Sequence, residues 1–281
     1  MILRLKKDFL HSDEYSIRIE SDSKKDYRLI RAIGRGGFGE VYEAIEESTK
    51  QKYAIKILNG RADISKEQIK RILKIEEIAG NIIHPNLLRV HSVYEEEKSI
   101  VMEFLEGLTL KQIMYSNETI SEQRVFELIN QIASGLKALH AQEIIHRDVK
   151  PDNIIIAPFA KIIDYGLATK GEKTTPGKII GTDIYMSHKQ FLGNHRKGND
   201  IYTLGLIVCE MLNGRRKFSE LFLESPERQV SSEHILRIRS KNKAPEFSAF
   251  SQKISEKMRI LITMCLSETP PSASELLEYI G

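Results

Sequence analysis

The stretch IIHRDVKPDNIII, residues 144–156, constrains this chain more than any other part of its 281 residues. Apolar residues flank eight positions, and five of these carry a charge or can acquire one: His146, Arg147, Asp148, Lys150 and Asp152. The flanks predict short buried strands, and a buried charge requires a partner or a metal ion. We therefore interpret the polar segment as a functional loop, although a solvated loop is the simpler alternative.

Oxygen-bearing side chains recur around this loop. Four residues separate Asp148 from Asn153, and Asp164 follows in the segment KIIDYGLA. Carboxylate and amide oxygens are the ligands that suit Mg²⁺, and a carboxylate can also act as a base. The apolar segments NIII and KII on either side favour a fixed, partly buried site over a loop in water.

Composition permits a sizeable core and excludes several classes. The chain is 41% hydrophobic and 29% charged, and its net charge of +3 is too small to indicate nucleic acid or an anionic membrane as partner. Cys209 and Cys265 are too few for a disulfide framework, so we interpret them as reduced core residues of a cytoplasmic protein. The sequence offers no apolar run long enough for a membrane span and no secretory signal.

The pattern changes once along the chain. From Tyr27 it is strand-like, with one helical stretch from Ser65 to about Ala79, and after Gly107 it is largely helical. We predict an N-terminal extension over residues 1–26, with a possible added strand at YSIRIE, and one domain over 27–281. That domain divides into a strand-rich lobe, 27–105, and a helix-rich lobe, 106–281. No long linker separates the lobes, so a ligand cleft between them is expected.

Two N-terminal motifs are suited to phosphate. In GRGGFGEV, Gly34, Gly36 and Gly39 follow the order GxGxxGxV, and glycines let backbone amides approach a phosphate closely. A strand precedes and another follows, whereas a dinucleotide site needs a helix there. Lys56, at the end of YAIK, is a point charge for phosphate. The alternatives are a tight hairpin without a ligand and a solvated lysine.

In combination, these motifs resemble the eukaryotic-type protein kinases, in their Ser/Thr branch. HRDVKPDN, GRGGFGEV, YAIK, DYG and GTDIYM occur in the order typical of that family, and the resemblance runs from about Tyr27 to Ile280. It implies an α+β, bilobal protein-kinase-like fold. The N-lobe is expected to be a small antiparallel sheet with one main helix, and the C-lobe larger and mostly helical.

The resemblance assigns expected roles to individual positions. The adenine is expected between Val41 and Ala54 on one side and Ile155 on the other, near the backbone of Glu103 and Leu105. Met102 takes the gatekeeper position and Thr109 the ribose contact. The nucleotide-binding residues implied by the resemblance are Ile33, Gly34, Arg35, Gly36, Gly37, Phe38, Gly39, Val41, Ala54, Lys56, Met102, Glu103, Leu105, Thr109 and Ile155.

The same resemblance implies the catalytic groups. Lys56 is expected to hold the α- and β-phosphates of ATP, with a carboxylate partner on the helix, and Mg²⁺ is expected at Asp164 and Asn153. Asp148 would accept the proton of the substrate hydroxyl, and Lys150 would neutralise the phosphoryl group in transfer. The catalytic set is Asp148, Lys150, Lys56 and Glu76.

Three of these assignments have open alternatives. Glu76 is our choice as the partner of Lys56, although the family spacing falls on Ile75 and Glu77 is adjacent. Thr182 matches the threonine that lines a Ser/Thr acceptor site. Asp200 matches the residue that accepts amide hydrogen bonds from the catalytic loop, unless it is a solvated carboxylate.

The sequence departs from the family pattern at three places. Tyr165 replaces the phenylalanine of DFG and adds a hydroxyl that requires a partner when buried. Lys189 replaces a glutamate, and the arginine that normally pairs with it is also missing from TPPSASELL. Because both partners are lost, no buried charge is stranded, and we expect a rearranged anchor in an active enzyme. The segment 153–164 is also shorter, which predicts a tight hairpin at APFA.

Arg147 precedes the catalytic aspartate, an arrangement that in similar kinases binds a phosphate on the activation loop. Thr174 and Thr175 are the candidate phosphorylation sites, and an unmodified loop is the alternative. The expected function is transfer of the γ-phosphoryl group of ATP to Ser/Thr hydroxyls of protein substrates, with autophosphorylation. The alternatives are a pseudokinase or nucleotide-binding scaffold without turnover and, less favoured by GTDIYM and Lys150, a small-molecule kinase. The oligomeric state has no signature in the sequence.

Overall fold

The computed structural model describes residues 26–58, 65–116, 119–175, 180–224, 231–241 and 245–281, together with the backbone of residues 15–18. The chain divides into two compact units, residues 1–83 with 88–106 and residues 84–87 with 107–281. Most of the predicted N-terminal extension, residues 1–14 and 19–25, lies outside the described residues.

The first unit contains a six-stranded antiparallel sheet. Its strands are β1 (Tyr15–Arg18), β2 (Asp26–Gly36), β3 (Gly39–Glu46), β4 (Lys52–Ile57), β5 (Val90–Tyr94) and β6 (Ser99–Glu103). The strand order is β1-β2-β3-β4-β6-β5. The alternating stretch YSIRIE therefore contributes an added strand, which pairs with the beginning of β2. One face of the sheet packs around an edge-to-face pair of rings, Tyr27 and Tyr53, whose centroids are 5.6 Å apart.

Helix α1 (Lys66–Gly80) begins where its sequence predicts. The Ser65 hydroxyl accepts the Gln68 N–H, and the Gln68 side chain accepts the Ser65 N–H, which completes a capping box. A cap of this kind contributes about 1 kcal/mol to helix stability. The apolar residues at helical spacing are buried: Ile69, Ile72, Leu73 and Ile75.

The second unit is mostly helical. Its helices are α2 (Leu110–Ser116), α3 (Glu122–Ala141), α4 (His188–Phe191), α5 (Lys197–Phe222), α6 (Ser232–Ser240), α7 (Glu256–Cys265) and α8 (Ala273–Ile280). Its short strands are β7 (Leu108–Thr109), β8 (Ile144–Ile145), β9 (Ile154–Ile156), β10 (Ala160–Ile162), β11 (Thr169–Lys170), β12 (Lys173–Thr174) and β13 (Asn194–His195). Strands β7, β9 and β10 form one sheet, and β8 pairs with β11 and β12 with β13. These two units confirm the predicted α+β class, with a small antiparallel sheet and a larger helical part.

Helix α5 forms the centre of the second unit. Most of its residues between Asn199 and Gly214 are buried, because α3 and α7 pack against it. The helix breaks at Gly214, whose φ of 70° lies in the left-handed region that glycine adopts without strain. The Asn213 side chain at this break donates to the Cys209 carbonyl and accepts the Ser251 N–H. No helix within the described ranges combines the length and apolarity of a membrane span.

Two glycines of α5 provide a matched test of its packing. A Cβ on Gly205 would lie 2.6 Å from Cys265 Cβ, so we expect Gly205→Ala to lower the free energy of unfolding by about 1–3 kcal/mol through overpacking. A Cβ on Gly198 would lie 3.5 Å from its nearest neighbour, Pro270. Gly198→Ala is therefore expected to be neutral or to stabilise by up to about 1 kcal/mol. Urea unfolding of both variants measures the difference, and equal losses would contradict close packing at Gly205.

Candidate active site

The carboxylate of Asp148 is held on both oxygens. Between the buried strands β8 and β9, Lys150 Nζ lies 2.7 Å from Asp148 Oδ2, and Thr182 Oγ1 donates to Asp148 Oδ1 at 2.7 Å. Lys150 Nζ also donates to Thr182 Oγ1 at 2.9 Å, which closes the three groups into a ring. The chain thus brings together Asp148, Lys150 and the distant Thr182. A carboxylate fixed in this way has one defined orientation.

Asn153 and Asp164 offer oxygen ligands close to this ring. Asn153 Nδ2 donates to the Asp148 backbone oxygen at 2.9 Å and to Asp148 Oδ2 at 3.1 Å, which directs Oδ1 of the amide away from that carboxylate. The Ile163 N–H donates to the Asn153 carbonyl at 2.9 Å, so Asp164 follows a residue bonded to Asn153. A carboxylate and an amide oxygen form a hard donor set, and this chemistry fits Mg²⁺.

Two residues of this region have strained backbones. Arg147 and Asp164 have φ angles of 67° and 64°, and non-glycine residues rarely adopt this left-handed conformation. Asp164 is stabilised locally, because its Oδ1 accepts the Gly166 N–H at 3.2 Å. Strain of this kind concentrates at functional sites, where the surrounding structure holds it in place.

Asp200, on helix α5, holds the backbone of the loop that contains Asp148. Its carboxylate accepts the backbone N–H groups of His146 and Arg147, each at 2.9 Å, and Nε2 of His140 lies 2.8 Å from Oδ2. The residue is 1% exposed, so it is not a solvated carboxylate. Burial alone would raise the pKa of Asp200, but the hydrogen bond and charge of His140 and the contacts with His146 outweigh it and lower that pKa.

Tyr165 satisfies its additional hydroxyl internally. The ring is fully buried and packs edge-on against His146, with centroids 5.9 Å apart. The hydroxyl donates to the Ile162 carbonyl at 3.3 Å. The shorter segment before it contains the hairpin expected at APFA, where the Ala157 N–H donates to the Phe159 carbonyl. The departure from phenylalanine therefore leaves no unpaired hydroxyl in the core.

In the first unit, the glycine-rich segment forms a tight antiparallel hairpin. Gly36 pairs with Gly39, Arg35 with Glu40 and Gly34 with Val41, across a turn at Gly37 and Phe38. A Cβ on Gly37 would meet nothing within 4 Å, and Ile33 is exposed, so this edge is open to a ligand. Gly39 is required for another reason, because its Cβ would lie 2.0 Å from the Ile57 carbonyl oxygen.

Lys56 and Glu76 form a buried ion pair in the first unit. Lys56 Nζ lies 2.9 Å from Glu76 Oε1, and the two side chains are 8% and 1% exposed. Ile75, the position on which the family spacing falls, is a buried apolar residue of α1, and Glu77 pairs with Lys74 at the surface. The structure therefore contains the pair Lys56–Glu76, and the one-residue difference in spacing is real.

The other residues expected at the nucleotide lie on pairing strands within each unit. In the first unit Val41 is opposite Lys56, Ala54 is opposite the buried Met102, and Glu103 is opposite Tyr53. Leu105 follows β6 and is half-buried. In the second unit Thr109 is opposite Ile155. The Thr109 hydroxyl accepts the Gln112 N–H at 3.1 Å, so this side chain also caps α2.

The candidate phosphorylation sites lie in a small sheet. Thr174 belongs to β12, and its hydroxyl donates to Asn194 Oδ1 at 2.9 Å. The Thr175 hydroxyl lies 2.7 Å from Nε2 of the buried His195. Arg147 directs its Nε to the Leu167 carbonyl at 2.7 Å, where it supports the segment after DYG. Lys178, a basic residue that follows these threonines in the sequence, lies outside the described residues.

Two residues that sequence reasoning missed join the segment around GTDIYM to the loop that contains Asp148. Buried Gln190 donates through Nε2 to the carbonyls of Arg147 and Ile180, each at 2.9 Å. Gly181 has a φ of 118°, and a Cβ there would lie 2.4 Å from the Arg147 carbonyl oxygen. The glycine of GTDIYM was a signal for this close approach, whereas nothing local marks Gln190. Lys189 donates to the Glu268 carbonyl at 2.7 Å, so a hydrogen bond to the backbone stands where the family pattern has an ion pair.

The buried pair in the first unit predicts a large stability effect. We expect Lys56→Met to lower the free energy of unfolding by about 3–5 kcal/mol, because it removes a partner of the buried Glu76 carboxylate. Adding Glu76→Leu should recover most of that loss. As a matched control, Lys70 and Glu95 lie at the same 2.9 Å distance but are 68% and 64% exposed. Lys70→Met is expected to cost less than about 1 kcal/mol in the same urea titration.

His195 predicts a pH dependence of stability. Burial, followed by the charges of Arg147 and Lys173, lowers the pKa of His195 from 6.5 to about 4. As the pH falls, His195 is protonated in the unfolded chain before it is protonated in the folded one. The contribution of the neutral His195 ring to the free energy of unfolding is therefore complete above pH 6.5 and is lost as the pH falls towards 4. We expect a decline of up to about 1.4 kcal/mol per pH unit that is shallower in His195→Asn. If the urea midpoints of the wild type and of His195→Asn change with pH in parallel, His195 is not the source of the decline.

Comparisons with known proteins show that the sequence is similar to protein kinases. Residues 27–278 match the family model described as protein kinase domain. The chain is 34% identical over 200 residues to the serine/threonine-protein kinase PrkC of Bacillus subtilis, covering 68% of this chain and 31% of that protein. It is 33% identical to PknD of Chlamydia muridarum, over 66% and 24% of the two chains. For PknA of Mycobacterium tuberculosis the identity is 31%, over 69% and 48%.

This chain thus spans less than half the length of each of these three relatives. The matched family model, by contrast, covers nearly all of the chain, and includes the glycine-rich hairpin, the Lys56–Glu76 pair and the loop around Asp148. The chain therefore belongs to the protein kinase domain family.

Proposed function

We propose that this chain is an ATP- and Mg²⁺-dependent kinase that transfers the γ-phosphoryl group of ATP to serine and threonine hydroxyls of proteins. Membership of the protein kinase domain family supports the reaction class, and the named relatives are serine/threonine-protein kinases. One observation carries the proposal. Both carboxylate oxygens of Asp148 are held, by Lys150 and by Thr182, in a loop whose charged residues are otherwise costly to bury.

Asp148 and Lys150 would act at the acceptor hydroxyl. The hydroxyl proton passes to the Asp148 carboxylate while the hydroxyl oxygen attacks the γ-phosphorus and the bond to the leaving ADP oxygen breaks. Lys150, which already bonds Asp148 Oδ2, carries a positive charge that would stabilise the transferring group. Thr182 and Asp200 are positioning residues, because they hold the carboxylate and the backbone of its loop.

The proposed nucleotide contacts follow the assignments that the resemblance implies. We assign the phosphates to Lys56, which the buried Glu76 keeps in place, and to the backbone of the glycine hairpin. Asn153 and Asp164 are the proposed ligands of Mg²⁺, whose charge would stabilise the phosphate oxygens during transfer. The other nucleotide contacts proposed from the resemblance, including Met102 and Thr109, are part of this assignment.

The acceptor class and the cellular setting are parts of the same proposal. The Lys150–Thr182 contact of 2.9 Å supports a Ser/Thr acceptor, since both residues match that branch of the family. Thr174 and Thr175 are candidate sites of autophosphorylation. The buried free thiols of Cys209 and Cys265 support a reducing, cytoplasmic compartment.

A comparison of two aspartates in one loop tests the proposal. We expect Asp148→Ala to reduce incorporation of the γ-phosphate of labelled ATP into a basic protein by about 100-fold or more, because positioning and proton acceptance are both lost. Asp152→Ala is the control. Asp152 lies in the same loop, but its pair with Lys111 is half-exposed, with side chains 41% and 44% accessible, so activity should change only a few-fold.

The two outcomes separate active kinase from scaffold. Turnover by the wild type that Asp148→Ala abolishes supports catalysis by this loop. A wild-type chain that binds ATP but incorporates no label in either protein substrate or itself would instead be a nucleotide-binding scaffold.

A further inference from the structure

Arg239 is a buried cation without a matching acid. It lies in the last turn of α6 and is 7% exposed. Nη1 donates to the Phe222 carbonyl and Nη2 to the Ile184 carbonyl, each at 3.0 Å. Nε is buried and has no hydrogen-bond partner, and no carboxylate of the described residues forms an ion pair with this guanidinium. A buried guanidinium normally has an anionic partner, because removing its charge from water is costly.

The neighbouring titratable groups do not supply that anion. Burial lowers the pKa of Arg239 but leaves a guanidinium charged in any ordinary buffer. The acidic side chains whose charges act on Arg239 are Tyr202 and Cys209, and burial raises the pKa of each, so both are neutral. Within the described part of the chain, the guanidinium is hydrogen-bonded to two backbone carbonyls and to no carboxylate.

Two cavities border Arg239 and Tyr202, and their charges differ. The larger, of about 260 Å³, is lined by three glutamates, Glu220, Glu224 and Glu246, and by one lysine, Lys241. An anion would be repelled there.

The smaller cavity, of about 150 Å³, is lined by His188 and Lys189 as well as Arg239, with Glu268 as its acid among the described residues. The hydroxyl-bearing residues Ser240 and Ser267 also line it. Its volume exceeds that of several water molecules, each of which takes about 30 Å³, so a small anion fits.

We propose that this smaller cavity is an oxyanion site, in which inorganic phosphate or the phosphoryl group of a phosphorylated side chain binds Arg239, Lys189 and His188. Guanidinium groups are well matched to tetrahedral oxyanions, and Lys189 adds a second permanent positive charge. The site is separate from the proposed ATP site and does not depend on catalysis.

Lys189 stands where the family pattern has a negatively charged residue. In the family that the sequence resembles, this position carries a glutamate and a buried arginine pairs with it. Here a carboxylate is missing, a different buried arginine is present, and a cavity lies between Arg239 and Lys189. A bound oxyanion would restore the missing negative charge.

Arg239 also contacts the segment that carries Thr182. Arg239 bonds the carbonyl of Ile184, two residues after Thr182, and Thr182 bonds Asp148. The side chains of Ile184 and Met186 pack with Ile235 of α6 in one apolar cluster. An anion at Arg239 would therefore stabilise the segment that carries Thr182.

Calorimetric titration with inorganic phosphate at constant ionic strength tests the proposal. We expect binding by the wild type, an accompanying rise in Tm, and an affinity roughly tenfold weaker in Lys189→Gln. Lys189→Glu places a carboxylate in the cavity wall and should abolish binding without removing a bond of Arg239. Lys241→Gln, which removes the lysine of the acidic cavity, is the matched control and should bind as the wild type does.

The phosphate titrations have outcomes that support or exclude an oxyanion site. If phosphate does not bind the wild type, or binds Lys189→Glu and the wild type equally, this cavity is not an oxyanion site. A parallel titration with phosphoserine distinguishes the two sources. Tighter binding of phosphoserine than of phosphate indicates a phosphorylated side chain, and the reverse order indicates a free oxyanion. Arg239→Gln should also lose binding. If Arg239→Gln fails to fold, Lys189→Glu still tests the site, because it leaves the hydrogen bonds of Arg239 intact.

Discussion

The geometry of the second unit depends on one buried carboxylate. Asp200 on α5 accepts two consecutive backbone N–H groups of the loop that follows β8, and these bonds join the central helix to the segment with Asp148. Arg147, the second of these donors, has a φ of 67°, a conformation that costs about 1–3 kcal/mol in a non-glycine residue. Hydrogen bonds to a charged acceptor are stronger than neutral ones, so Asp200 can hold this backbone in place.

Charge is buried in this molecule in three different ways. Lys56 and Glu76 neutralise each other. Asp200 accepts hydrogen bonds from backbone N–H groups and contacts a histidine, and Arg239 donates to two backbone carbonyls. The Lys56–Glu76 contact gives a rigid pair, and the contacts of Asp200 fix a loop. The third leaves the positive charge uncompensated by any described carboxylate, and it does so beside a cavity with further basic residues.

Local physics made much of this structure predictable, and distance along the chain limited the rest. The cap at Ser65, the added strand at YSIRIE and the buried flanks of the catalytic loop follow from patterns within a few residues. Gln190 and Arg239 carry no such pattern, because their partners are separated from them by 10 to 55 residues. The choice between Glu76 and Ile75 required the helix itself, since one residue rotates a side chain by about 100°.

The pairing of β12 with β13 has a consequence for the timing of modification. Thr174 and Thr175 contribute their hydroxyls to Asn194 and His195, and the Thr175 N–H donates to the Gly193 carbonyl. Thr174 is exposed, but the Thr175 hydroxyl is half-buried, so an enzyme that modifies Thr175 would meet its hydroxyl in a locally opened segment. The rate of modification would then follow the opening equilibrium of this two-stranded ladder, and any ligand that tightens the ladder would delay the reaction.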